Sequence, residues 1–227
     1  MKHTTWGLVM ATGKSEQISS EIETPFLYLN DRPVLAYSLA AFMQCPEIAG
    51  VVVVVSRERA ESVLGMVQLF GLSKVKKIVV GGARRAASMA AGLEHIPDEV
   101  EFVCVHDASR PMVAPGLISE TVKMAHRHGA AVAATEILDP VVAGAKGALE
   151  ARRDEGDRLW TVISPQAYAR NALAKAYPKA VKARKNYEDD LEAMQTQRIK
   201  PWLVPTAAPS LRIRSADDLK PVLALMK

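Results

Sequence analysis

The feature that most constrains the fold is a run of five consecutive valines, Val51–Val55, between Gly50 and Ser56. Valine favours strands because its branched side chain packs well on a pleated surface. A run without polar alternation predicts a strand that is buried on both faces, which parallel sheets require because helices cover both of their sides. The run is also far too short to cross a membrane. It therefore predicts a layered α/β protein built around a parallel sheet.

Apolar runs of strand length alternate along the chain with segments whose apolar residues recur at helical spacing. The predicted strands are Trp6–Thr12, Gly50–Ser56, Val75–Val80, Phe102–Val105, Ala130–Ile137, Trp202–Val204 and Leu211–Ile213. The predicted helices are one opening at Asp31–Pro33, then Arg57–Phe70, Ala86–His95, Pro115–His128, Ala169–Ala180, Asp189–Gln197 and a last one from Ser215 to about Met226. This alternation favours a doubly wound, mainly parallel sheet with right-handed crossovers.

The alternation fails between Asp139 and Thr161, where glycines and charged residues replace the apolar periodicity. Long excursions inside compact domains usually carry a function or an interaction surface. We therefore expect a single domain over residues 1–227 with a projecting arm at about 139–161. The arm is predicted to pack on a second subunit, which makes the protein a homodimer.

Composition narrows the class of protein further. Of the 227 residues, 24% are charged, as in ordinary soluble proteins. The N-terminus lacks the pattern of a secretory signal, and Cys45 and Cys104 form no CxxC pair, which argues against a zinc site or a disulfide framework. The net charge is only +4, without the interleaved aromatics of single-strand binders. We expect a cytoplasmic protein that binds a small phosphorylated ligand, with no nucleic acid and no membrane as partner.

Charged residues follow the predicted strand that begins at Phe102. Asp107, Ser109 and Arg110 come directly before Pro111, which breaks the segment. In open α/β sheets, ligands bind at the carboxyl ends of the strands. Asp107 and Arg110 are therefore candidates for a ligand site, although the same residues also fit a turn in which Asp107 caps the backbone and pairs with Arg110.

Two glycine-containing loops follow other predicted strands. Gly13 follows the first strand, and Gly81 and Gly82 follow the third, directly before a predicted helix. Glycine permits close backbone approach, and a helix N-terminus offers free N–H groups and a positive dipole end. Arg84 and Arg85 add positive charge. These features indicate a phosphate cradle, and the alternative is a plain turn with solvated arginines.

Three ordered groups of residues together resemble one enzyme family. They are Gly81–Met89 with Gly92–Leu93, Val105–Pro111, and Leu159–Trp160 followed by Ser164–Gln166. They are similar to the GG-x-x-R-x-x-S-V, VHDA-x-RP and LW…TPQ motifs of the 2-C-methyl-D-erythritol 4-phosphate cytidylyltransferases. Further matches are Arg32–Leu35, Asp189–Asp190 and Leu211–Ile213 with the acidic start of the last helix. The resemblance covers almost the whole chain in unbroken order.

The resemblance implies a Rossmann-like nucleotidyltransferase that uses CTP, an alditol phosphate and Mg²⁺, and releases pyrophosphate. It implies that the nucleotide contacts Ala11, Thr12, Gly13, Gly82, Ala83, Arg85, Ser88 and Asp107. It implies that the second substrate contacts Asp107, Arg110 and Asp139, and that Asp107 holds the metal. Gly156 stands where the family has an arginine, and Arg158, which lies near, is the candidate contact with the second substrate in its place. Arg212 stands where the family has a catalytic lysine, so the charge is kept with a different geometry.

The chain also departs from the family pattern. Phe26 stands where the family has another catalytic lysine, and the loop after the first strand lacks the family's second glycine and its arginine. Lys14 in that loop is the candidate substitute. The start of the arm, Asp139–Pro140, replaces the family's Asp-Thr.

Three functions remain to be compared. The first is an active cytidylyltransferase, for methylerythritol phosphate or another alditol phosphate such as ribitol phosphate. The second is a relative that binds a nucleotide without turnover. The third, a dinucleotide-dependent dehydrogenase, is disfavoured because no GxGxxG follows the first strand and the second strand ends in Ser56 with no acid.

Overall fold

The computed structural model of the protein describes residues 3–13, 18–19, 22–145, 148–152, 158–185, 187, 189–208 and 210–226, with the backbone alone over 143–145 and 148–152. The strands are β1 (Thr5–Ala11), β2 (Tyr28–Leu29), β3 (Arg32–Pro33), β4 (Ile48–Val55), β5 (Val75–Val80), β6 (Phe102–Asp107), β7 (Ala130–Glu136), β8 (Val142–Ala145), β9 (Ala148–Arg152), β10 (Trp160–Ala169) and β11 (Trp202–Pro205). The α-helices are α1 (Val34–Gln44), α2 (Ala60–Leu69), α3 (Arg85–Leu93), α4 (Pro115–His128), α5 (Arg170–Lys182), α6 (Asp190–Gln195) and α7 (Leu219–Leu225).

Seven strands of the described chain form one sheet in the order β11-β7-β10-β6-β1-β4-β5. Strands β6, β1, β4 and β5 run parallel to one another, and β11 runs parallel to β7. Strand β10 is antiparallel to both of its neighbours, β6 and β7. The predicted doubly wound, mainly parallel α/β sheet is therefore confirmed.

The valine run lies at the centre of this sheet, as its composition predicts. Each residue of Val51–Val55 is fully buried. Val51, Val53 and Val55 pack in the layer that contains α1, whereas Val52 and Val54 pack in the opposite layer with Met89 of α3. Burying one such side chain contributes roughly 1.5–3 kcal/mol, so the run anchors both layers.

Strand β10 lies where no strand was predicted. Its sequence contains Pro165, which cannot donate a hydrogen bond to a neighbouring strand and therefore argues against a central position. The structure accommodates Pro165 at a break in the ladder, since the register between β10 and β7 is interrupted between Val162 and Gln166. Pairing with β6 begins only at Gln166. Ser164–Gln166 does return to the body of the protein, as predicted, but it does so within a sheet strand that was not predicted.

The predicted strand Leu211–Ile213 is also wrong. Among the described residues this segment joins no sheet, and the Ile213 N–H donates to the Ser109 carbonyl at 3.0 Å. The side chain of Ile213 is fully buried against Leu29 and Val222. The apolar residues of this segment therefore reflect the burial of the Ile213 side chain and not the pairing of a strand in a sheet.

The predicted arm corresponds to a hairpin of β8 and β9, which pair antiparallel outside the large sheet. Trp160, near the end of the predicted arm, pairs with Glu136 in the large sheet. None of the helices that the structure describes is long and apolar enough to cross a membrane.

Candidate functional site

The carboxyl ends of β6, β1, β4 and β5 meet at one edge of the sheet. The strand register pairs Met10 with Asp107, and Ala11 with Val55. Val55 pairs in turn with Val80, the last residue of β5. The loops that follow these four strands are therefore neighbours, and the sheet edge collects residues from distant parts of the sequence.

The loop after β5 packs against α3 and the loop after β1. The hydroxyl of Ser88 accepts from the Gly82 N–H and donates to the Gly82 carbonyl, both at 3.1 Å. A Cβ atom added to Gly81 would lie 2.7 Å from both Ser88 Oγ and Thr12 Cγ2, and one added to Gly82 would lie 2.6 Å from Ala87 Cβ. Thr12, Gly82 and Ser88 are thus brought together as expected, and the serine shapes the loop.

Three other predicted nucleotide contacts lie close by. Ala11 is the buried last residue of β1, and Gly13 follows in the left-handed region with φ of +108°, which favours glycine. Ala83 is exposed on the loop that leads into α3. Lys14, the predicted substitute for the family lysine, lies outside the described residues.

A cluster of charged side chains surrounds Asp107 at the end of β6. Arg85 joins two carboxylates, with its Nη1 at 3.1 Å from Asp107 Oδ1 and its Nη2 at 2.8 Å from Asp190 Oδ2. Arg212 Nη1 lies 3.7 Å from Asp107 Oδ2. The Tyr177 hydroxyl donates to the other oxygen of Asp190. We call these four charged residues, Arg85, Asp107, Asp190 and Arg212, the acidic end of the edge.

The acidic end is mostly screened from solvent, since the side chains of Asp107 and Arg85 are each only 14% exposed. Burial alone raises the pKa of a carboxyl group, but Arg85, Arg212 and Arg110 hold the pKa of Asp107 well below its usual range. Burial opposes the charge of Arg85, and Asp190 and Asp107 nevertheless raise the pKa of its guanidinium well above the usual value. Asp107 is therefore ionised at neutral pH.

The segment that carries Arg212 is held against the edge by Arg110. The buried Arg110 donates through Nη1 to the Ser210 carbonyl at 2.5 Å, and Arg212 donates through Nε to Ser109 Oγ at 3.1 Å. Both arginines lie at the carboxyl edge, as predicted. The bond from Arg110 to the Ser210 backbone gives Arg110 a part in positioning Arg212.

A buried histidine braces the strand that ends in Asp107. His106 Nδ1 lies 3.0 Å from Ser164 Oγ, and its Nε2 lies 3.2 Å from Ser38 Oγ. Ser164 also accepts from the Asp107 N–H at 3.1 Å. Burial lowers the pKa of His106 to about 4, so the ring is neutral near pH 7, with one nitrogen donating and the other accepting. The sequence alone did not reveal Ser164 as a partner, because β10 was not recognised as a strand.

Asp139 and Arg158 lie apart from this cluster, near the base of the arm. Asp139 is exposed, and the side chain of Arg158 is 78% exposed and pairs with Glu136 at 3.7 Å. Within the described residues, neither contacts the acidic end in the same chain. Their predicted contact with the second substrate therefore stays a prediction.

Asp190 and Tyr177 are the site residues that sequence reasoning missed. Asp189 and Asp190 both fit the first turn of a helix, and Asp189 does cap α6 by accepting from the Glu192 N–H at 2.8 Å. Asp190 is instead only 1% exposed and binds Arg85. A single acidic residue is enough to cap the helix. The presence of a second one, Asp190, was therefore the sequence signal that could have indicated another role.

The sequence and the fold of the chain are similar to those of known proteins. The family model described as 2-C-methyl-D-erythritol 4-phosphate cytidylyltransferase matches residues 6–227. An enzyme of that name from Syntrophus aciditrophicus is 30% identical over 100% of this chain and 97% of its own length.

Solved structures show the same relationship. The 2-C-methyl-D-erythritol 4-phosphate cytidylyltransferase of Thermus thermophilus is 28% identical, with a TM-score of 0.75 over 96% of this chain and 97% of its own. The 4-diphosphocytidyl-2C-methyl-D-erythritol synthase of Anaerococcus prevotii shares the fold with a TM-score of 0.85 at 18% identity, over 99% of this chain and 96% of its own. Fold, ordered motifs and a match over nearly every residue lead to one conclusion: the chain belongs to the 2-C-methyl-D-erythritol 4-phosphate cytidylyltransferase family.

Proposed function

We propose that the protein transfers the cytidylyl group of CTP to 2-C-methyl-D-erythritol 4-phosphate in the synthesis of isoprenoid precursors. The products are the CDP-alditol and pyrophosphate. The observation that carries this proposal is the family match over residues 6–227, together with the charged cluster that the fold gathers at the ligand-binding edge.

The reaction is an in-line displacement at phosphorus. A phosphate oxygen of the alditol phosphate forms a bond to the α-phosphorus of CTP. The bond from that phosphorus to the oxygen bridging to the β-phosphorus breaks, and pyrophosphate leaves with the electron pair. Catalysis of this kind depends on positioning and on charge stabilisation rather than on covalent chemistry by the protein.

The described residues suit these tasks. The tight loop at Gly81 and Gly82, held by Ser88, permits close approach of a base or ribose to the backbone. Arg212 lies within 3.7 Å of Asp107, where its guanidinium can orient a phosphate and stabilise negative charge. Arg85 and Arg110 keep Asp107 and Arg212 in place, so little reorganisation is needed when substrates bind.

Asp107 is the residue that would hold Mg²⁺. Within the described residues, no group of three or more His, Cys, Asp or Glu side chains is placed to bind a metal. Mg²⁺ is commonly held by one or two carboxylates together with substrate phosphates and water, so an ionised Asp107 beside a triphosphate fits this ion. Bound there, Mg²⁺ would supply positive charge to the phosphate oxygens.

We also propose that the arm packs on a second subunit in a cytoplasmic homodimer. Leu138 at its base is 87% exposed and Val142 in β8 is 47% exposed, and a second subunit packed on the arm would bury them. Asp139 and Arg158 lie at the same base and would then meet the second substrate at the subunit boundary. Sedimentation of the purified protein as a monomer would contradict this arrangement.

The test of the function is pyrophosphate release from CTP, Mg²⁺ and methylerythritol phosphate, compared with a heat-inactivated sample. A parallel reaction with ribitol phosphate distinguishes the variant that acts on another alditol phosphate. The alternative function follows from Phe26, which stands in place of the family lysine. In that case the protein binds CTP but releases no pyrophosphate with either alditol phosphate. That result would identify a non-catalytic relative.

A further inference from the structure

We propose that Arg59 binds the β- and γ-phosphates of the nucleotide and stabilises the pyrophosphate as it leaves. This inference rests on the proposed function, because it assigns a residue to the leaving group of that reaction. Arg59, Glu23 and Phe26 together are called the β4 end of the edge.

The first argument is position. Arg59 belongs to a short 3₁₀ turn, Arg57–Arg59, that follows β4 after Ser56, and its N–H donates to the Ser56 carbonyl at 3.2 Å. Because Val55 pairs with Ala11, this turn lies beside the loop that begins at Thr12. Strand β1 lies between β4 and β6 in the sheet, so a nucleotide lying across the carboxyl end of β1 would face both Arg59 and Asp107.

The second argument is geometry. The guanidinium carbon of Arg59 lies 4.8 Å from the centre of the Phe26 ring, and its Nε lies 2.5 Å from Glu23 Oε2. The ring fixes the plane of the guanidinium, and the carboxylate fixes its rotation. Within the described chain, the two terminal nitrogens donate to no protein acceptor, and the side chain is 39% exposed. A guanidinium held in this way presents two donors to a ligand, which suits the bidentate recognition of phosphate.

The third argument is charge. At the acidic end, Arg85 and Arg212 face Asp107, and Arg85 also faces Asp190. Much of their positive charge is therefore already balanced by carboxylates. A triphosphate carries more negative charge than such a cluster can offset, and phosphoryl transfer needs cations around the leaving oxygens as well. Arg59 is also paired with a carboxylate, Glu23, but its side chain is 39% exposed against 14% for Arg85, so a phosphate can reach its guanidinium more readily.

The fourth argument concerns buried hydroxyls near Arg59. Thr24 Oγ1, next to Glu23 in sequence, and Ser56 Oγ, at the start of the turn, are both buried without a hydrogen-bond partner among the described residues. A buried hydroxyl without a partner typically costs ~1–3 kcal/mol. Both hydroxyls lie close in sequence to the residues that hold Arg59, and ordered water is the usual partner of such buried groups. Phe26 then has a physical role as the support for the cation.

The experiment compares Arg59→Ala, Arg59→Lys and the neighbouring control Arg57→Ala. Binding of inorganic pyrophosphate, CTP and CMP, each with Mg²⁺, is measured by calorimetry, and pyrophosphate release is measured in parallel. We expect Arg59→Ala to raise the Kd for pyrophosphate and for CTP at least tenfold. The Kd for CMP should stay within twofold of wild type, because CMP lacks the two outer phosphates. Arg59→Lys should recover part of the loss, and Arg57→Ala should behave as wild type.

The outcomes separate the inference from the function on which it rests. Equal loss of CMP and pyrophosphate binding in Arg59→Ala, or an equal loss in Arg57→Ala, would overturn the role of Arg59, and so would unchanged binding of all three ligands. A wild-type protein that binds CTP but releases no pyrophosphate would overturn the proposed reaction, while the binding series still decides whether Arg59 holds the outer phosphates. Melting temperatures identify variants that lose binding through unfolding, and Arg59→Lys keeps the charge should Arg59→Ala unfold.

Discussion

The acidic end and the β4 end of the same sheet edge each hold an arginine, but the two arginines differ in burial and in the number of carboxylate partners. At the acidic end, Arg85 lies between two carboxylates and is only 14% exposed. At the β4 end, Arg59 has one carboxylate partner, rests on an aromatic ring and is 39% exposed. The difference teaches that burial requires matched charges, because an unpaired buried ion is costly, whereas an arginine near the surface can keep donors available for a ligand.

Neutralising one carboxylate at each end gives the largest expected contrast. Asp107→Asn leaves two guanidinium groups facing a neutral amide and should lower stability by about 3–5 kcal/mol. It should also lower turnover by roughly 10²–10³-fold, because Asp107 is the proposed metal ligand. Glu23→Gln should cost less than about 1 kcal/mol, since its ion pair is partly solvated. Urea unfolding measures the stability of the two variants, and pyrophosphate release measures their turnover. Similar losses of stability in Asp107→Asn and Glu23→Gln would refute the proposed difference between the two ends.

Substitutions at Asp190 and Tyr177, which hold Arg85 from the side opposite Asp107, should have the next largest effect on stability. Asp190→Asn should lower the free energy of unfolding by about 3 kcal/mol, because Arg85 loses one of its two carboxylates. Tyr177→Phe removes only the hydrogen bond to Asp190 and should cost about 1 kcal/mol. If both variants cost the same, the charge of Asp190 has no part in holding Arg85.

The pH dependence of stability should arise at His106, next to Asp107 of the acidic end. Its pKa of about 4 in the folded protein lies below the usual value, so the unfolded chain takes up the proton first as the pH falls. Stability is therefore lost between about pH 6.5 and pH 4, by about 2 kcal/mol between pH 7 and pH 4.5. His106→Gln should flatten this part of the profile in denaturant titrations. An unchanged slope would show that another group is responsible.

The smallest effect is expected at the base of the arm. Arg158→Ala removes an exposed ion pair and should change stability by less than about 0.5 kcal/mol. If Arg158 contacts the second substrate, the same variant raises the KM for methylerythritol phosphate several-fold and leaves the KM for CTP unchanged. Equal changes in both constants would argue against that contact.

The sequence predicted most of the fold because its strongest signals are local and repetitive. The valine run, the alternation of strands and helices and the glycines after strands were each sufficient to place an element. The main failures were β10 and the segment Leu211–Ile213, and the two-residue strands β2 and β3 were not predicted either. A proline concealed the first because the break in the ladder that admits it is a property of the neighbouring strands. The second was mistaken for a strand because a short segment that buries one apolar side chain has the same apolar composition as a short strand.

The site shows the same division. The sequence by itself identified Asp107, Ser88 and Arg212 as candidates, and the order of the strands then brought them to one edge. Only the tertiary structure decided that Arg85 joins Asp107 to Asp190, and that Arg59 rests on Phe26 beside Glu23. These pairings join residues 22 to 105 positions apart in the sequence. A local pattern states which charges exist, but the energy of a charge depends on its burial and its partner, and both are set by packing between distant segments.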